Sequence, residues 1–222
     1  MFSLLDALCP PACAACDAQA DADGLCHACG EEVPTRLSMM ATPPDSVSRA
    51  WFLGAYAGPV GALVKRAKYG KQDALLALMA DRVGRAAGAL RADVIVPVPS
   101  TRLRRMSRGF DAPDMIAASV SRSTGVPMME ALARLRRDAQ AGHSHGERAE
   151  NARRSWSAIR QVRGHVLLVD DVLTTGSTAR ACADELLGAG ARRVDLLVAA
   201  ASSASSSKNF DKGGEIERRV RA

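Results

Sequence analysis

At 222 residues, with 47% apolar residues and a net charge of +6, the chain can bury one full core, which excludes wholesale disorder. The positive balance favours anionic partners such as phosphates, nucleotides or nucleic acid, and the scarcity of aromatics argues against an aromatic binding groove. No apolar run approaches the roughly 20 residues of a membrane span, and the opening stretch has no basic region and is broken by Asp6, so it does not read as a signal peptide.

A cytoplasmic chain is expected on these grounds, and there clustered cysteines hold metal more often than they form disulfides. Five of the six cysteines lie near the start: Cys9, Cys13, Cys16, Cys26 and Cys29. Cys13 and Cys16 form one C-x2-C knuckle, and Cys26 and Cys29 form a second. Two such knuckles suit one tetrahedral zinc held by four thiolates, with no open position for catalysis. A segment this small builds no core, so the metal would supply its folding energy; the alternative is a set of free or redox-active thiols. Cys9 is a spare, which either replaces a ligand or stays free. We expect a zinc ribbon over residues 1–35 and a Pro- and Ser-rich linker over 36–50.

"WFLGAY" (51–56) reads as a strand. A helix is predicted from Pro59 to about Lys68, with Val60, Leu63, Val64 and Ala67 on one face. The cation-rich "KRAKYGKQ" overlaps its end, where Lys65, Lys68 and Lys71 either guide anions or face solvent. Asp73 can cap a second helix, from Ala74 to about Leu90. "DVIVPVPS" (93–100) is a buried strand stiffened by Pro97 and Pro99, and "TRLRRMSRGF" follows it. A helix from about Ala112 to Ser123 precedes "VPMMEALARL", which reads as a strand that then turns. Residues 136–154 are polar and mixed in charge; they read as a long mobile loop leading into a short helix, and His143 and His145 in it are either acid–base groups or surface histidines. Val166–Val169 form a short strand buried on both faces, which Asp170 and Asp171 are expected to end. Ser177 or Thr178 would cap a helix to about Leu187, and "RRVDLLVAA" is the last strand. The tail, 201–222, has the composition of a disordered segment.

Strands alternating with helices imply an α/β fold with a parallel sheet covered on both faces, and ligands of such sheets bind beyond the carboxyl ends of the strands. The turn Thr174, Thr175, Gly176, Ser177 and Thr178 falls there. Four hydroxyls and the unpaired amides of a helix N-terminus make a cup for a phosphate monoester. No lysine ends the motif, so it is not the nucleotide P-loop. Asp170 and Asp171 would repel a phosphate at close range, but they can accept hydrogen bonds from the vicinal hydroxyls of a ribose carrying that phosphate on carbon 5.

"VLLVDDVLTTGST" resembles the phosphoribosyl pyrophosphate signature of type I phosphoribosyltransferases. The ordered set of the two C-x2-C knuckles, "KRAKYG", "VIVPVPSTRLRRMSRGF", "AQAGHSHGERAENAR" and this signature is similar to the ComF family over residues 9 to about 200. The resemblance implies a phosphoribosyltransferase-like domain at 51–200 behind the zinc ribbon, and a link to natural competence and single-stranded DNA. If the domain is catalytic, Asp170 and Asp171 are its catalytic residues: both would orient the sugar, and one of them would stabilise an oxocarbenium-like centre. Ser100, Thr101, Arg104 and Arg105 would meet pyrophosphate, with Mg²⁺ as its counter-ion. The resemblance does not imply that the chain is an enzyme. A non-catalytic module that binds nucleotide or DNA for a competence helicase is the alternative.

Overall fold

The computed structural model describes residues 12–21, 24–70, 73–100, 111–135 and 155–202. Along the chain run α1 (His27–Glu32), β1 (Ser38–Met39), β2 (Ala50–Ala55), α2 (Pro59–Gly70), α3 (Asp73–Ala86) and β3 (Val94–Pro97). Then follow α4 (Ala112–Thr124), β4 (Leu132–Arg134), β5 (Trp156–Ala158), β6 (Gly164–Leu173), α5 (Ser177–Gly188) and β7 (Ala191–Ala201).

Five strands form one sheet in the order β1-β2-β7-β6-β3, and β4 and β5 form a separate antiparallel pair. Within the large sheet only β1 runs antiparallel to its neighbour. The strand period of two sorts β6 between two cores. Leu167 and Val169 join the buried cluster of α2, α3 and α4, whereas Val166 and Leu168 join that of α5 and β5. A parallel sheet covered on both faces requires such an all-apolar strand.

Three predicted boundaries move, and one strand is new. β6 does not end at the acids; Asp170 pairs with Val198, and Leu173 with Ala201. The long β7 offers ladder partners along this whole stretch, and these override the low strand propensity of Asp. α5 is capped by Gly176 rather than by Ser177 or Thr178, with φ 78° and no side-chain cap bond. α3 stops at Ala86 instead of Leu90, with turn bonds closing from Gly88 to Arg85 and from Leu90 to Ala87. Trp156–Ala158 form a strand that the sequence did not announce, because its partner β4 is far away in the chain. The expected loop and short helix at 136–154 lie outside the described residues, as does the tail from 203.

Residues 36–50, expected as a linker, carry β1 and bury Met40 and Val47 in the second core. They also lie over α5: Arg180 Nη1 is 3.3 Å from Asp45 Oδ2, and the Ser46 hydroxyl donates to Asp184. The first knuckle sits against α2 and α3. Cys13, Ala14, Leu25 and Val33 belong to the same buried cluster as Leu63 and Met79, and the Arg66 guanidinium holds both Asp17 oxygens at 2.5 Å.

Candidate functional site

A cavity of about 260 Å³ opens at the carboxyl ends of β3 and β6. Asp170, Asp171, Thr174 and Thr178 border it from the β6 turn, and Ser100 from the segment after β3. Tyr56, Val64, Ala67 and Lys68 supply one wall, and Asp111, Arg134 and Trp156 close others. The sheet thus gathers groups separated by more than a hundred residues at the edge where α/β folds bind ligands.

Adjacent residues of a strand point to opposite faces, and the two acids follow that rule. Asp171 continues the Val169 face and meets Lys68, whose Nζ is 2.7 Å from Asp171 Oδ2. Asp170 continues the Leu168 face, and its charge is felt by Cys182 of α5. Both still border the cavity because it caps the end of the sheet. The Asp171 N–H donates to Asp170 Oδ1 at 2.8 Å. Each carboxylate therefore has one oxygen held by the protein. Among the described residues none hydrogen-bonds the other oxygen of either acid. Burial pushes the Asp170 carboxyl well above its ordinary range, and the neighbouring Asp171 charge adds to that; the Asp171 amide and Lys68 oppose it.

The hydroxyl turn divides into two parts. Thr174 and Thr178 face the cavity. Thr175 and Ser177 are exposed, with their hydroxyls 3.1 Å apart, and do not border it. Gly176 is buried, and a Cβ there would meet Pro44 at 3.0 Å in a left-handed backbone. The first amides of α5 have no acceptor within the helix, so they face outward at its positive end.

The Ser100 amide donates to Asp111 Oδ2 at 3.2 Å, which ties the end of β3 to the start of α4. Thr101, Arg104, Arg105, His143 and His145 lie outside the described residues, and so does Cys9. Sequence reasoning singled out neither Asp111 nor Trp156 for the site. Trp156 is buried and also lines the cavity, with the Arg134 guanidinium 4.9 Å from its ring centre. Lys68 stood undecided within a cation-rich stretch; only its partner distinguishes it from Lys65, which sits 4.4 Å over the Tyr56 ring.

The second candidate centre is the cysteine cluster. The sulfurs of Cys13, Cys16, Cys26 and Cys29 all lie within 4.8 Å of one another. Tetrahedral thiolate bonds of about 2.3 Å set sulfurs roughly 3.8 Å apart, and Cys16 Sγ is 3.6 Å from Cys26 Sγ. Burial opposes ionisation of Cys13, but backbone amides of Cys26, Ala15 and Cys16 outweigh it and bring the thiol down to about 6. Burial and the neighbouring sulfurs push Cys29 up. Four sulfurs this close, with amides aimed at one of them, fit a single thiophilic cation.

Residues 72–215 match the phosphoribosyl transferase domain family. The DNA utilization protein YhgH of Escherichia coli O157:H7 is 30% identical over 200 residues, covering 83% of this chain and 87% of that protein. Competence protein F of Haemophilus influenzae is 26% identical over 182 residues, covering 75% and 80%. Among solved structures, glutamine phosphoribosylpyrophosphate amidotransferase from B. subtilis, complexed with ADP and GMP, is 26% identical with a TM-score of 0.43. That likeness covers 56% of this chain and 26% of the other, and the superposition is too loose to carry residue roles across.

Proposed function

Because the chain belongs to the phosphoribosyl transferase domain family, in the ComF group with DNA utilization protein YhgH and Competence protein F, we propose that its cavity binds a ribose phosphate, with phosphoribosyl pyrophosphate as the fullest match. One observation carries the reading. Two adjacent carboxylates, each anchored by one oxygen, border the same cavity as the hydroxyl turn at a helix N-terminus. Asp170 and Asp171 accept the vicinal hydroxyls. Thr174 and Thr178 meet the 5-phosphate from the cavity wall, and Thr175, Gly176 and Ser177 contribute the amides of the turn at its rim. Ser100, with Thr101, Arg104 and Arg105, meets the pyrophosphate, where arginine pairs phosphoryl oxygens bidentately.

Were the site to turn over, an acceptor nucleophile would form a bond to ribose carbon 1 as the bond from carbon 1 to pyrophosphate oxygen breaks. The acceptor's proton would leave to solvent or to the departing anion. Asp170 and Asp171 would orient the ring and stabilise positive charge developing on it. Mg²⁺, when bound, would supply charge neutralisation at the pyrophosphate oxygens. Zinc suits Cys13, Cys16, Cys26 and Cys29 as a closed structural site. We retain the division into a ribbon at 1–35, a connecting segment at 36–50, a phosphoribosyltransferase-like domain at 51–200 and a tail at 201–222. A cytoplasmic setting goes with this assignment, since clustered thiolates there hold metal more often than they pair as disulfides.

A second reading draws on the names of the relatives and on the net charge of +6. In it the same pocket senses a ribose phosphate without turnover, while basic surface engages single-stranded DNA or a competence helicase. Calorimetry with phosphoribosyl pyrophosphate and Mg²⁺, followed by an assay for released pyrophosphate across a panel of bases and amines, separates the two. Saturable binding with turnover supports the enzyme, and binding without turnover supports the module. No binding by the wild type would sink the ribose-phosphate reading.

A further inference from the structure

We propose that Lys68 is a positioning residue of the ligand site: its ammonium holds Asp171 by one carboxylate oxygen and so presents the other to a ribose hydroxyl. The proposal rests on the ribose-phosphate reading and adds a residue to it that lies outside the matched family segment of 72–215.

The first support is the arrangement of the two acids. Asp171 Oδ2 is taken by Lys68 at 2.7 Å, and Asp170 Oδ1 by the Asp171 amide at 2.8 Å. A free carboxylate rotates and offers either oxygen; a carboxylate pinned at one oxygen offers the other in one direction. The pair is also sheltered, with 25% of the Lys68 side chain and 12% of the Asp171 side chain exposed. Sheltered, charge-assisted contacts of this kind are stronger than surface ion pairs, which contribute little.

The second support is how firmly α2 is seated. A Cβ at Gly61 would fall 1.8 Å from the Tyr56 carbonyl oxygen, so the helix lies directly against the end of β2. Arg66 grips Asp17 of the first knuckle with both nitrogens, and Lys65 covers the Tyr56 ring. Lys65, Arg66 and Lys68 thus each have a separate partner. Lys68 is the one of these three that borders the cavity, among charged neighbours Asp111, Arg134, Asp170 and Asp171. A lysine placed to attract anions would extend toward solvent; this one turns inward to a carboxylate.

The test is calorimetry on the full chain with three probes: ribose 5-phosphate, 2,3-dideoxyribose 5-phosphate, which lacks both hydroxyls, and inorganic phosphate. Wild type should prefer ribose 5-phosphate over the dideoxy compound. Lys68→Met should weaken ribose 5-phosphate about tenfold, the scale of one charged hydrogen bond, and leave the dideoxy compound and phosphate unchanged. Lys68→Arg should restore most of the preference, which a merely structural role would not do. Equal losses for all three probes would mean that Lys68 serves the anion, and an unchanged Lys68→Met would mean that it serves nothing; either result overturns the proposal. A wild type with no preference between the two sugar phosphates sinks the diol reading itself, a separate failure. Thermal melting checks the fold of each variant, and Lys68→Gln repeats the test should Lys68→Met unfold.

Discussion

Above about pH 4 an unfolded chain has released the proton of Asp170, whereas the folded chain keeps it to higher pH, since burial and the Asp171 charge oppose ionisation. The folded state then binds more protons than the unfolded one, so stability falls as pH rises through this window. Asp170→Asn removes the titration. We expect its melting temperature at neutral pH to exceed that of the wild type, its pH dependence to flatten, and its affinity for ribose 5-phosphate to drop tenfold or more. A variant that gains stability while it loses ligand marks a residue kept for function against the interest of the fold. Gly176 shows the opposite logic. Its φ of 78° and the Pro44 contact leave no room for a side chain, so Gly176→Ala should cost about 1–2 kcal/mol in urea unfolding.

At the scale of elements, β6 both carries the core and aims the acids. Leu168 is fully buried, and Leu168→Ala should cost about 2–5 kcal/mol in the same measurement. α2 was legible in the sequence from the spacing of Val60, Leu63, Val64 and Ala67, all of which are buried. Its seat on Tyr56 was not, because a backbone carbonyl five residues upstream leaves no mark in the side-chain pattern. Gly61→Ala should shift the helix and lower both melting temperature and ribose 5-phosphate affinity. Gly188→Ala, with open space around the added atom, should leave both unchanged. The strand β5 was missed for a related reason: three residues carry too little periodicity to be read, and their partner β4 lies beyond an intervening stretch of some twenty residues.

Across the whole molecule, the cysteine knuckles and the phosphoribosyltransferase-like domain share one buried cluster, which joins Cys13 and Leu25 to residues of α2, α3 and α4. A metal ion held at the knuckles would therefore be linked to the stability of the larger domain. We expect one zinc per chain by mass spectrometry, a melting temperature several degrees lower after treatment with a strong chelator, and a similar loss with Cys13→Ser. Wild type that melts identically with and without metal would count against zinc in this place.

The α/β class, the doubly buried run Val166–Val169, a cysteine set able to hold one metal ion and the family signature could all be read along the chain, because each is written in short-range pattern: an unbroken apolar run, ligand spacing, and small hydroxyl residues after a strand. Only the tertiary structure decided which oxygen of Asp171 is held, that Lys68 holds it, that Asp111 ties down Ser100, and that the stretch before β2 backs the hydroxyl turn. These are contacts between segments distant in the chain. Their partners are chosen by how helices seat on the sheet, and no local run of residues encodes that choice.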